Sequence, residues 1–159
     1  MLDSNFFDEL VKSPEAYQAT RAAVEGAATE LLVDTMVLGQ LGATKDIAKR
    51  TQMLAYANEL CRRVEHGGAG YGIGPYGAGP YGGARPAEMP IATAVIGNAT
   101  NNGTMADSAI AATAHYEGAV LVTRDGALRK KATAEGVEVL SPAEFFTEIG
   151  FDTAEAASP

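Results

Sequence analysis

The chain has 159 residues, 47% of them hydrophobic, with 20 acidic against 12 basic side chains and a formal net charge of −8. That length and apolar content suit one ordinary domain with a real core and exclude disorder throughout. The acidic balance argues against a strong, non-specific nucleic-acid binder but not against a metal-dependent nuclease, whose own acidic site lowers the total. No apolar run approaches the about 18 residues of a membrane helix. The opening Met1-Leu2-Asp3-Ser4 lacks the basic-then-apolar order of a signal peptide, and Cys61 is the single cysteine. A cytoplasmic protein with no membrane partner is therefore expected.

Met1-Leu2 is a very short apolar entry, followed by Asp3-Ser4-Asn5. Phe6, Phe7, Leu10 and Val11 then recur at helical spacing. Ser13-Pro14-Glu15 restarts a helix, with a cap, a proline at its first position and an acid suited to the dipole, and Gly26 closes it. Leu31-Leu32-Val33 predicts a short buried strand, and Thr35 to Leu41 a helix stopped at Gly42. Thr44 is expected to cap a longer helix reaching about Glu65. The segment 66–86 changes character: Gly-Pro-Tyr-Gly occurs twice, and such glycine density cannot hold a helix. It predicts a loop or insertion whose Tyr71, Tyr76 and Tyr81 either stack on bases or pack locally.

After the apolar stretch Ile91 to Ile96 and the polar turn Asn98 to Gly103, Thr104 is a candidate N-cap with Asp107 three residues on, as in a capping box. Ile110, Ala111 and Ala114 share the face of Asp107, so a carboxylate opens an apolar stripe. Gly118 is a helix stop. The run Ala119 to Val122 predicts a strand buried on both faces, and Asp125 follows it. In open parallel sheets ligands bind beyond the carboxyl ends of the strands. Leu128 to Ala134 predicts a short basic helix, Val137 to Leu140 a strand, and Ser141-Pro142-Ala143-Glu144 a capping-box helix start. Phe151 to Pro159 is expected to be a frayed tail. Helices alternating with short apolar strands imply an α/β domain with a mainly parallel sheet.

The order of acids carries a resemblance. Met1-Leu2-Asp3-Ser4-Asn5, then Asp107-Ser108-Ala109-Ile110-Ala111-Ala112, then Leu121-Val122-Thr123-Arg124-Asp125 are similar to the "LDTN", "DxxIAA" and "LVTRD" segments of the PIN-domain family. Gly136-Val137 to Phe145 is similar to the family's last strand and helix. The resemblance spans nearly the whole chain outside the Gly/Tyr insertion and the tail. It implies a three-layer α/β/α domain over residues 1–150 with a mainly parallel central sheet of about four or five short strands. It also implies a metal-dependent endoribonuclease, since the family contains Mg²⁺- or Mn²⁺-dependent nucleases, many of them toxins of toxin–antitoxin pairs. RNA is then the substrate, and an antitoxin protein and a homodimer are the candidate partners. The rival reading is a PIN-like RNA-binding or protein-interaction module with weak or no catalysis.

On this resemblance Asp3, Asp107 and Asp125 bind the metal. The family's further acid, a glutamate after the second strand, falls at Gln40, so the chain departs from the pattern there. A competing register opens the domain at Leu32-Val33-Asp34-Thr35, but its matching fourth position would be Tyr71, inside the glycine run. An all-oxygen carboxylate cluster suits Mg²⁺ or Mn²⁺, which would polarise a phosphate and activate water. Asn5 would orient Asp3, and Thr123 would hydrogen-bond a ligating carboxylate or a water. Arg124, Arg129, Lys130 and Lys131 are candidate contacts to the RNA backbone. Each has a plainer role available: Asp107 as a helix cap, Asp125 and Asp3 as turn residues, the basic cluster as a solvated helix face, and His115 as a surface residue.

Overall fold

A computed structural model describes residues 1–64, 102–134 and 136–151. The Gly/Tyr insertion, the stretch Ile91 to Ile96 and the tail beyond Phe151 lie outside the described residues. The helices are α1 (Ser4–Lys12), α2 (Pro14–Glu25), α3 (Thr35–Gly42), α4 (Ile47–Leu60), α5 (Asn102–Tyr116), α6 (Gly126–Ala134) and α7 (Pro142–Glu148). The strands are β1 (Leu31–Asp34), β2 (Cys61–Val64), β3 (Leu121–Val122) and β4 (Val139–Leu140). Among these residues no helix is long and apolar enough to cross a membrane.

The α/β character is present in coarser form than a single central sheet. There are two two-stranded parallel sheets, β1 with β2 and β3 with β4. Leu2 lies between them, making isolated parallel bridges to Val33 and to Val122. The entry segment is bonded on both sides: Leu2 N donates to Leu32 O at 2.9 Å, and Asp3 N to Val122 O at 3.1 Å. All pairings being parallel, Asp3, Asp34 and the loop from Thr123 to Asp125 leave at the same edge. The apolar runs at 119–122 and 137–140 yield strands of only two residues each, with Leu121 N bonded to Glu138 O and Thr123 N to Leu140 O.

Boundaries of three elements differ from the sequence expectation. The helix expected to run from a Thr44 cap to Glu65 is capped by Asp46, whose side chain accepts from Lys49 N, and it stops at Leu60. Cys61 to Val64 instead pairs with β1 in parallel register. No glycine or proline marks that change; tertiary pairing overrides local helix propensity. Thr104 lies inside α5, which begins at Asn102, so it is not the N-cap the sequence suggests. Phe151 is not frayed: its ring packs edge-on against Phe146 at 5.6 Å, and its N–H bonds to Phe146 O.

The core joins the ends of the chain. Phe6, Phe7 and Leu10 of α1 are fully buried. Phe6 meets Phe145 edge-to-face at 5.2 Å and Phe146 at 5.5 Å, the geometry aromatic quadrupoles favour. The predicted stripe on α5 is buried as expected, with Ile110, Ala111 and Ala114 at 0% exposure. Helix α7 begins with the predicted capping box of Ser141 and Glu144.

One turn carries strain that the sequence conceals. Gly26 caps α2 at an ordinary φ of −77°, whereas the next residue, Ala27, takes φ +54°. Ala28 N then reaches back to Ala23 O, the Schellman closure that normally places glycine where Ala27 stands. A left-handed alanine costs about 1 kcal/mol relative to glycine. Ala27→Gly should therefore raise stability by about 0.5–1 kcal/mol after the loss of unfolded-chain restriction. Urea unfolding reads this directly; a decrease in stability would mean the turn does not hold that conformation.

Candidate active site

The site is built at the shared edge where the strands end. Asp3 ends the entry segment and caps α1, with Oδ1 accepting from Ser4 N at 2.6 Å. Its Oδ2 accepts from Asn5 Nδ2 and from Thr123 Oγ1, each at 2.7 Å. Asn5 Oδ1 in turn accepts from Arg124 N at 3.0 Å, and Thr123 Oγ1 accepts from Asp125 N at 3.0 Å. Both residues that the sequence assigns to orienting Asp3 and its neighbours touch it. The network ties the first turn of α1 to the loop after β3, across the sequence. Asp3 and Thr123 are buried.

Asp125 caps α6, its Oδ1 accepting from Ala127 N at 2.8 Å and Leu128 N at 2.9 Å. Asp107 is half-buried on α5 and has its carboxyl pushed up to about 6. Burial contributes most, the negative charges of Asp3 and Asp125 add to it, and the positive charge of Lys131 opposes it. Asp3 and Asp125, both distant in sequence, therefore bring negative charge to bear on Asp107. Among the described residues no group of three or more His, Cys, Asp and Glu side chains stands ready to hold a metal ion. Both Asp3 oxygens and Asp125 Oδ1 accept hydrogen bonds from backbone or side-chain donors. All three side chains are oxygen donors, the class that hard divalent cations prefer.

Gln40 sits on α3, and its Oε1 is buried with no hydrogen-bond partner among the described residues. An unpaired buried acceptor costs about 1–3 kcal/mol and calls for an explanation. The four candidate RNA-contacting cations separate. Arg124 is ion-paired with Glu9, and Arg129 with Glu144 at 2.6 Å, a contact that holds the Glu144 carboxyl down to about 2. Lys131 is the one of the four whose charge reaches Asp107; Lys130 is exposed. His115 is exposed too.

Sequence reasoning treated Asp34 only as a competing start and missed its place here. Asp34 ends β1, is fully buried, and caps α3 through Oδ1, which accepts from Met36 N at 2.6 Å. Its Oδ2 accepts from Thr113 Oγ1 at 2.7 Å. The signal was available: a polar Thr113 interrupts an otherwise small apolar helix face, and Asp34 follows a buried strand as Asp3 does.

No family model, curated protein or solved structure matches the chain.

Proposed function

We propose that the protein is a PIN-like, metal-dependent endoribonuclease that hydrolyses RNA phosphodiester bonds, in the manner of a toxin controlled by an antitoxin. The observation that carries this reading is the Asp107 carboxyl, held up to about 6 by burial and by the charges of Asp3 and Asp125. Clustered carboxylates that destabilise each other are a common signature of a functional site. The finer architecture proposed with it is a three-layer α/β/α domain in which the Leu2 segment joins the two parallel pairs into one central sheet. Asp3, Asp107 and Asp125 would hold Mg²⁺ or Mn²⁺. Such an ion supplies Lewis-acid polarisation of the phosphate and lowers the pKa of a coordinated water. Asn5 and Thr123 keep the Asp3 carboxylate oriented. Lys131, beside Asp107, is the cation best placed to meet an RNA phosphate.

The test is cleavage of a mixed RNA pool with Mn²⁺ or with EDTA, alongside the melting shift that Mn²⁺ causes. Metal-dependent cleavage with an upward shift supports the reading; neither effect at millimolar Mn²⁺ overturns it. A second reading, a PIN-like module without catalysis, is favoured by Gln40, which leaves the cluster one charge short of the family pattern.

Gln40→Glu distinguishes the two. Hard-ion affinity rises with the number of ligand charges, so this variant should bind Mn²⁺ more tightly and cut faster than the parent. Without metal it should be less stable by about 1–3 kcal/mol, because a buried acceptor without a partner becomes a charge. Identical Mn²⁺ shifts and identical cleavage in the two proteins would place Gln40 outside the site.

A further inference from the structure

We propose that the Asp34–Thr113 hydrogen bond is a positioning pair, which fixes α5 against the carboxyl end of β1 and thereby sets where Asp107 stands relative to Asp3 and Asp125. The inference rests on reading those three aspartates as a site.

A fully buried carboxylate is costly, since each desolvated charge forfeits several kcal/mol of hydration. Capping α3 does not require it, because Ser, Thr or Asn caps as well as Asp. One oxygen of Asp34 performs the cap. The other is used on Thr113, a residue of a different helix and itself 1% exposed. The Thr113 hydroxyl also lies 2.8 Å from Ala109 O of the preceding turn; a carboxylate oxygen is the stronger acceptor for its single proton.

The packing of α5 explains why a directional bond matters there. Between Ala109 and Ala114 the buried side chains are four alanines, Ile110 and Thr113. Methyl groups interdigitate weakly, so such a face resists sliding less than one of large knobs. A shift of one residue along the axis moves each side chain about 1.5 Å and turns it about 100°. Apolar contact would survive that change; the 2.7 Å bond to Asp34 would not. Asp107 precedes Thr113 by six residues on the same rigid helix, about 9 Å of rise. Locking Thr113 therefore locks Asp107. Asp34 also caps α3, the helix that carries Gln40, so one buried carboxylate sets the origin of two helices facing the site.

A double-mutant cycle in EDTA at pH 7 tests this, with Asp107→Asn introduced into the parent, Thr113→Val and Thr113→Ser. In the parent, Asp107→Asn should raise the melting temperature by removing repulsion. In Thr113→Val that rise should fall to less than half, because a released α5 lets Asp107 move away from the other charges. Thr113→Ser, which keeps the hydroxyl, should restore it. Equal rises in all three backgrounds would mean that Thr113 contributes stability alone, and would overturn the proposal. Should Thr113→Val fail to fold, Asp34→Ser/Thr113→Val removes the buried carboxylate together with the threonine hydroxyl. The charges acting on Asp107 are those of Asp3, Asp125 and Lys131, so this double background is read the same way. Mn²⁺ binding by the parent is scored separately. A coupled cycle with no Mn²⁺ binding leaves the positioning pair standing and removes the nuclease reading; an additive cycle with Mn²⁺ binding does the reverse.

Discussion

Asp107→Asn should melt higher than the parent in EDTA at pH 7 and take up no Mn²⁺. The carboxyl rises from its ordinary 3.8 to about 6, which at ~1.4 kcal/mol per pH unit sets an upper limit near ~3 kcal/mol. Asp107 is only half-buried, and solvent screening reduces the expected gain to about 1–2 kcal/mol, or a rise of about 3–6 °C for a domain of this size. The sign follows from linkage. The folded state binds this proton more tightly than the unfolded chain does, so ionisation opposes folding. That penalty is absent below pH 3.8, grows as the pH rises towards 6, and is complete above it. The difference between variant and parent should therefore be full at pH 7.5 and vanish near pH 4. A variant less stable than the parent at pH 7, with Mn²⁺ uptake intact, would reduce Asp107 to an ordinary helix residue.

That behaviour was partly legible in the sequence, for reasons that differ along the chain. Periodicity and caps located α1, α2, α3 and α7, because those signals are local: Ser13-Pro14-Glu15 and Ser141-Pro142 act within one turn. The strand Cys61–Val64 was not legible, since its cause is β1, about thirty residues away. The three aspartates form an ordered set in the sequence, and in the structure the charges of Asp3 and Asp125 act on Asp107. Their hydrogen-bond partners divide in the same way. Asn5 lies within the Asp3 motif and could be assigned, whereas the ion pairs of Arg124 with Glu9 and Arg129 with Glu144 depend on helix placement. Asp34 was visible but read as an alternative to Asp3. Both occupy equivalent positions: each ends a parallel segment, caps the next helix and accepts a threonine hydroxyl.

Asp3→Ala should also lose Mn²⁺ uptake, yet with stability moving the other way. Asp3 is buried, and its two oxygens receive Ser4 N, Asn5 Nδ2 and Thr123 Oγ1. Removing the carboxylate takes away the α1 cap, worth about 0.5–2 kcal/mol, and orphans two side-chain donors at about 1–3 kcal/mol each. Because these groups form one network the terms do not add, and the expected loss is about 3–5 kcal/mol. At this chain length that lowers the melting temperature by about 10–15 °C. Asp3→Asn should lose roughly half as much: the amide oxygen can still cap, but its NH₂ then faces the donors of Asn5 or Thr123. Thermal unfolding of the three proteins, each with and without Mn²⁺, checks the order. Retention of the Mn²⁺ shift in Asp3→Ala would leave Asp3 as a helix cap and remove it from the site. The contrast with Asp107 has a physical cause. Asp3 accepts hydrogen bonds from Ser4 N, Asn5 Nδ2 and Thr123 Oγ1, so the fold pays when it is deleted. Asp107 faces burial and two negative neighbours, so the fold gains. A divalent cation would supply the positive charge that Asp107 lacks, while Asn5 and Thr123 hold Asp3 in place to share it.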